Sequence, residues 1–153
     1  MSKRFVAVLA LIAVAGLTAG AVVATGQGSA NDDTLFATLT GAGERQAGHP
    51  FDRNGKGSFS AVVDGRRLCM SASVTDLGRI VAAHIHPGRR GQNGPPMFDS
   101  GVTPRSGSAA TFGTCLTITR AQARALKRRP GSFYFNVHTT QFPEGAIRGQ
   151  LHQ

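Results

Sequence analysis

Acidic residues are scarce in this chain, with eight Asp and Glu among 153 residues against seventeen Lys and Arg. With so few, no spacing picks out a carboxylate pair for general acid–base chemistry. Other signatures of catalysis are missing too. There is no G-x-S-x-G elbow, no glycine-rich phosphate loop, no H-E-x-x-H and no paired C-x-x-C. A Ser-His-Asp set could be assembled from the residues present, but nothing in the sequence selects one. The sequence therefore names no catalytic residue and leans away from an enzyme. It also lacks a repeat at any fixed period, and its length suits one domain.

The first thirty residues differ from the rest. Lys3 and Arg4 precede an apolar segment from Phe5 to Ala24, and Ala19-Gly20-Ala21 and Gly28-Ser29-Ala30 offer small-residue cleavage sites. That order predicts a secretory signal over residues 1–30. The alternative is an uncleaved anchor, because the run is long enough to span a bilayer. The membrane would then be met only through this segment. No cysteine lies near the boundary to receive lipid, and there is no twin-arginine pair. One domain over residues 31–153, secreted or held at the cell envelope, is the expectation.

Residues 31–153 keep fifteen Lys and Arg and all eight acidic residues, a net charge of +7. In an exported protein that charge points to an anionic cell-wall polymer, a glycan or an extracellular protein rather than to nucleic acid. A merely solubilising surface is the plainer reading.

Only two cysteines are present, Cys69 and Cys115. An even count in an exported chain favours a disulfide, and strand phase agrees. In "LCMSASV" Leu68, Met70, Ala72 and Val74 form the apolar side, leaving Cys69 with Ser71 and Ser73. In "TFGTCLTI" Phe112, Leu116 and Ile118 leave Cys115 with Gly113 and Thr117. Both thiols face away from the core, where neighbouring strands bridge them.

Strand signals recur along the chain. "TLFATLT" (34–40) alternates, and Gly41 to Lys56 has no periodicity and reads as loop. "GSFSAVV" and "RRLCMSASV" make a hairpin around a turn at Asp64-Gly65. "RIVAAHIH" ends at Pro87-Gly88, and a short strand is expected around Met97-Phe98. Thr119 with Gln122 predicts a capping box for one helix at about 119–129, stopped by Pro130-Gly131. "SFYFNVHT" and "AIRGQLH" complete the set. The predicted fold class is all-β, an antiparallel Greek-key-like sandwich or barrel with one inserted α-helix.

Two groups stand out chemically. The helix carries Arg120, Arg124, Lys127, Arg128 and Arg129. Cations in the last turn suit the helix dipole, but five exceed that need and mark a contact for an anionic partner. The other group is histidine. His84 and His86 point the same way on their strand, opposite Val81, Ala83 and Ile85. His138 lies beside Asn136 on the less apolar side of "FYFNVHT", and Arg148 and Gln150 share a side of the last strand. If these strands are neighbours, one layer collects them all. Three imidazoles there suit copper or zinc, with Asn136 or Gln150 orienting a ring. The competing readings are a structural hydrogen-bond network and a site for a small polar ligand such as a sugar.

"AHIHPG" (83–88), "GQNGP" (91–95), "FYFNVHT" (133–139) and "FPEGAIRGQL" (142–151), in this order, resemble the chordin-type CHRD domain from about Leu35 to Leu151. The resemblance implies a β-rich extracellular module, found in secreted bacterial proteins and as repeats in the developmental regulator chordin, without an established catalytic activity. Glu44 in "LTGAGE" matches the acidic residue of that family's first motif, whereas Arg45-Gln46-Ala47-Gly48 replaces the prolines that usually follow. More loosely, an H-x-H on a β-sandwich strand plus a distant histidine is similar to the copper site of copper-zinc superoxide dismutases. The zinc loop with its bridging histidine is absent.

Overall fold

The computed structural model describes residues 33–45, 47–107 and 109–153. The expected export segment lies outside them. Eight antiparallel strands form one sheet: β1 (Thr34–Thr40), β2 (Lys56–Asp64), β3 (Arg67–Thr75), β4 (Ile80–Pro87), β5 (Phe98–Asp99), β6 (Ala109–Thr117), β7 (Phe133–Thr139) and β8 (Ile147–Gln150). Their spatial order is β5-β4-β7-β8-β1-β2-β3-β6. The all-β expectation holds, and the sheet curls into a half-barrel. Its curl is visible in Phe59 of β2, which stacks on Phe135 of β7 at 4.2 Å between centroids although β8 and β1 lie between those strands. Such a pair contributes about 1 kcal/mol beyond its burial.

The alternating sequence produces the two faces. β3 buries Leu68, Met70, Ala72 and Val74 and leaves Ser71 and Ser73 exposed. Cys69 and Cys115 oppose each other across β3 and β6 on that outer face and form a disulfide. β7 departs from the pattern. Phe135 and Val137 enter the core, yet Tyr134 and Asn136 on the other side are buried as well, because the loop after β4 folds over them.

Four local expectations need correction. The hairpin turn is Gly65-Arg66, one residue later than expected, since Asp64 still pairs with Arg67. Gly65 supplies the positive φ, +55°. Within the stretch read as loop, Gly41–Arg45 form a short helix, α1, that carries Glu44 inward. The short strand after β4 starts at Phe98 rather than Met97. In β4 a bulge between Ile80 and Ala82 turns Ile80 into the core in place of Val81. The second helix, α2 (Arg120–Arg128), has the expected reciprocal cap between Thr119 and Gln122 and buries Ala123 and Leu126.

Candidate metal centre

β4 and β7 are neighbours, with His84 opposite Asn136, Ala82 opposite His138 and His86 opposite Tyr134. Alternation puts all three histidines on the outer face of this pair. His84 Nδ1 lies 3.3 Å from His138 Nε2. One ligand nitrogen from each ring lies within 4.8 Å of the others. Three nitrogens on one zinc ion at about 2.0–2.1 Å stand roughly 3.3–3.6 Å apart. The His84–His138 pair already has that spacing, and His86 needs only a small ring shift to join it.

Backbone carbonyls set the ring orientations. His86 Nδ1 donates to Gly94 O at 2.9 Å, and His138 Nδ1 donates to Pro143 O at 2.9 Å. Both rings therefore turn an Nε2 lone pair to the shared space. His86 Nε2 is buried and has no partner. Burial pushes the pKa of all three rings below the usual histidine range, His86 to about 4, where the hydrogen bond to Gly94 O opposes the shift and Arg148 and the two neighbouring rings add to it. Neutral imidazoles are the form that binds metal.

The rest of the layer is scaffold for this group. His86 stacks on Tyr134 at 4.8 Å and 6° between planes. Arg148 covers the same Tyr134 ring, its Cζ 3.2 Å from the centroid. The buried guanidinium donates to Asn93 Oδ1, Arg89 O and Gln92 O, and so clamps the loop that supplies Gly94. Gln150 Nε2 donates to Gly88 O and Phe133 O, both at 2.8 Å. Asn136 Nδ2 reaches Glu144 O at 3.5 Å, and its Oδ1 is buried without a partner. Gly94 and Pro143 orient the rings; Asn136 and Gln150 make no such bond.

A cavity of about 200 Å³ adjoins the group, lined by His86, His138, Tyr134, Asn136, Asn93 and Glu144 among others. His49 is on the same wall, with Nε2 2.8 Å from Asn93 Nδ2. Sequence patterning passed over His49 because its segment is aperiodic. Glu44 was noted only through a motif. It is 1 % exposed, its Oε1 lacks a partner, and burial raises its pKa to about 7 against the pull of Arg148. At Gly145, φ +147°, a Cβ would lie within 2.8 Å of both Glu44 Oε1 and Asn136 Nδ2, so this turn requires glycine.

The basic helix stands apart from the histidines. Arg120, Arg124, Arg128 and Arg129 are exposed, whereas Lys127 forms an ion pair with Asp33.

Fold and site together define a disulfide-linked antiparallel β module with a partly buried histidine layer beside a glycine- and proline-rich loop. The chain belongs to the CHRD domain family, which it matches over residues 35–151. All four motifs noted in the sequence lie in this layer or the turns that cover it. No curated protein and no solved structure matches the chain. Family membership indicates a small extracellular β module of non-enzymatic type, and the disulfide agrees with an oxidising compartment.

Proposed function

We propose that this module binds a divalent transition metal, copper or zinc, through His84, His86 and His138. The observation that carries this reading is the buried, unpartnered Nε2 of His86, aimed with two further imidazole nitrogens at one small volume. A buried polar atom without a hydrogen bond is costly. A metal ion removes that cost, and the Nδ1 bonds to Gly94 O and Pro143 O are the outer contacts that metal-bound histidines use. Binding requires His84 to move its proton from Nδ1 to Nε2.

Calorimetric titration of chelator-treated protein with Cu(II) and with Zn(II) tests this. One ion per chain, bound at micromolar Kd or tighter, is expected, with binding abolished in the folded His84→Ala/His86→Ala double variant. Affinity no tighter than millimolar, or unchanged binding in that variant, rejects the site and leaves the layer as scaffold.

A second reading concerns α2. Arg120, Arg124 and Arg128 recur every four residues, forming one exposed stripe, and no carboxylate pairs with them among the described residues. That stripe suits an anionic envelope polymer, an acidic glycan or an acidic protein surface. Retention of the protein on an immobilised sulfated polysaccharide should fall steeply between low and moderate salt. Salt-independent retention would exclude it.

A further inference from the structure

Resting on the metal reading, we infer that Glu144 supplies the fourth ligand, so that three imidazoles and one carboxylate close around the ion. Three protein nitrogens leave a four-coordinate ion one position short. The cavity of about 200 Å³ shares His86 and His138 with the ligand set, so the missing position has room on that side. Glu144 is the one acid among the described residues that line this cavity.

The turn that carries Glu144 is tied to the ligand strand. Gly145 N–H donates to Phe142 O at 3.2 Å and closes the turn around Pro143 and Glu144. Pro143 O receives His138 Nδ1 at 2.9 Å, and Glu144 O receives Asn136 Nδ2 at 3.5 Å. These bonds hold the backbone of Glu144 beside His138, while its side chain is exposed and free to turn. Among the described residues its carboxylate forms no ion pair. Its negative charge already reaches His138, where it favours the protonated ring, and the same field favours a metal cation there. Charge balance points the same way. Three neutral imidazoles leave a divalent ion with both charges in a partly buried site, and Arg148 adds a positive field at His86. One carboxylate on the ion offsets half of its charge. Asp99, the other carboxylate that acts on these rings, lies opposite His84 on β5 and does not line the cavity. Catalytic sites keep a position open for water or substrate, whereas closed sites hold the metal. This site is therefore of the holding kind.

Zn(II) is titrated by calorimetry into the chelator-treated protein and two variants. Glu144 and Asp99 are both exposed, so neither change threatens the fold. Glu144→Gln is expected to weaken binding at least about tenfold, the smallest cost of losing even an outer contact. Asp99→Asn removes an equal charge outside the cavity and should cost no more than about threefold. Azide, which absorbs strongly when it coordinates copper, reads the fourth position directly. It should bind Cu(II)-loaded Glu144→Gln at least about tenfold tighter than the Cu(II)-loaded parent, because that variant leaves the position to water. Asp99→Asn should bind azide as the parent does. Unchanged zinc affinity in Glu144→Gln, equal losses in the two variants, or equal azide binding in Glu144→Gln and the parent overturns Glu144 as a ligand. Those results leave the metal reading standing; a parent protein that takes up neither ion removes both.

Discussion

His84 Nδ1 and His138 Nε2 meet at 3.3 Å although 54 residues separate them in the chain. The pairing of β4 with β7 makes this contact, and it distinguishes a metal site from a scaffold by thermal melting. Metal at a hundred times its Kd stabilises a protein by about 2.7 kcal/mol. For a domain of this size that raises Tm by on the order of 10 °C. His138→Ala should lose this increment while its metal-free Tm falls by only a few degrees. A scaffold would show the second effect without the first.

Two buried groups oppose each other in pH dependence. His86 has its pKa lowered from 6.5 to about 4, so the metal-free unfolded state binds the extra proton between those values. Stability from this group is present above pH 6.5 and is lost as pH falls toward 4. Glu44 is raised from 4.5 to about 7, so the folded state holds the extra proton. Its contribution is present below pH 4.5 and is lost as pH rises toward 7. Each amounts to about 3 kcal/mol. His84 and His138 are lowered in the same direction as His86, so the metal-free protein should gain stability as pH rises from 4.5 to 6.5. Against the parent profile, Glu44→Gln should lose stability more steeply as pH falls, and His86→Gln less steeply. Denaturant midpoints across that window check both slopes, and parallel profiles in the two variants contradict the assignment.

Much of this architecture was legible in local pattern. The β1 boundaries, the phase of Cys69 against Cys115 and the Thr119–Gln122 cap are short-range features, and they appear as read. The adjacency of "HIH" and "NVH" was inferred only conditionally, because strand order is set by packing across the whole sheet. Less accessible were effects of tertiary closure. The bulge that exchanges Val81 for Ile80 has no sequence mark. Gly94 and Pro143 act through carbonyls that every residue possesses. His49 reaches the cavity through a loop whose path depends on Asn93.

The disulfide should stabilise without touching the candidate site. Cys69 and Cys115 join β3 to β6 at one end of the sheet, and the histidines lie on β4 and β7 toward the other. Closing a loop of 46 residues contributes roughly 4 kcal/mol through the unfolded chain. The Cys69→Ser/Cys115→Ser variant should therefore melt on the order of 15 °C lower. Its copper affinity at 20 °C should match the parent protein. A large loss of affinity would mean that the two ends of the sheet are coupled.

Arg148 tests how the covering loop is held. Its guanidinium spans three oxygen acceptors and the Tyr134 face together, which an ammonium cannot reproduce. Arg148→Lys should cost about 3 kcal/mol of stability, as buried carbonyls lose donors. Amide exchange of residues 90–94 should quicken more than that of the β2–β3 hairpin. Uniform quickening across the sheet would instead place Arg148 in the global core.

The α2 surface yields a prediction that separates its five cations. Lys127 already pairs with Asp33, both side chains being about one-third exposed, and that pair is worth at most about 1 kcal/mol to the fold. Its charge is paired with a carboxylate, so it contributes less outward field than the unpaired arginines. Arg124 and Arg128 lie one turn apart, exposed and without a carboxylate partner among the described residues. An anionic polymer should meet them first. On a sulfated-polysaccharide column, the Arg124→Gln/Arg128→Gln variant should elute at clearly lower salt than the parent, and Lys127→Gln close to it. Asp33→Asn frees Lys127 and should raise the eluting salt concentration, the opposite direction from the arginine variant. Equal shifts for every single-charge change would show that only net charge matters and that α2 is no specific contact surface.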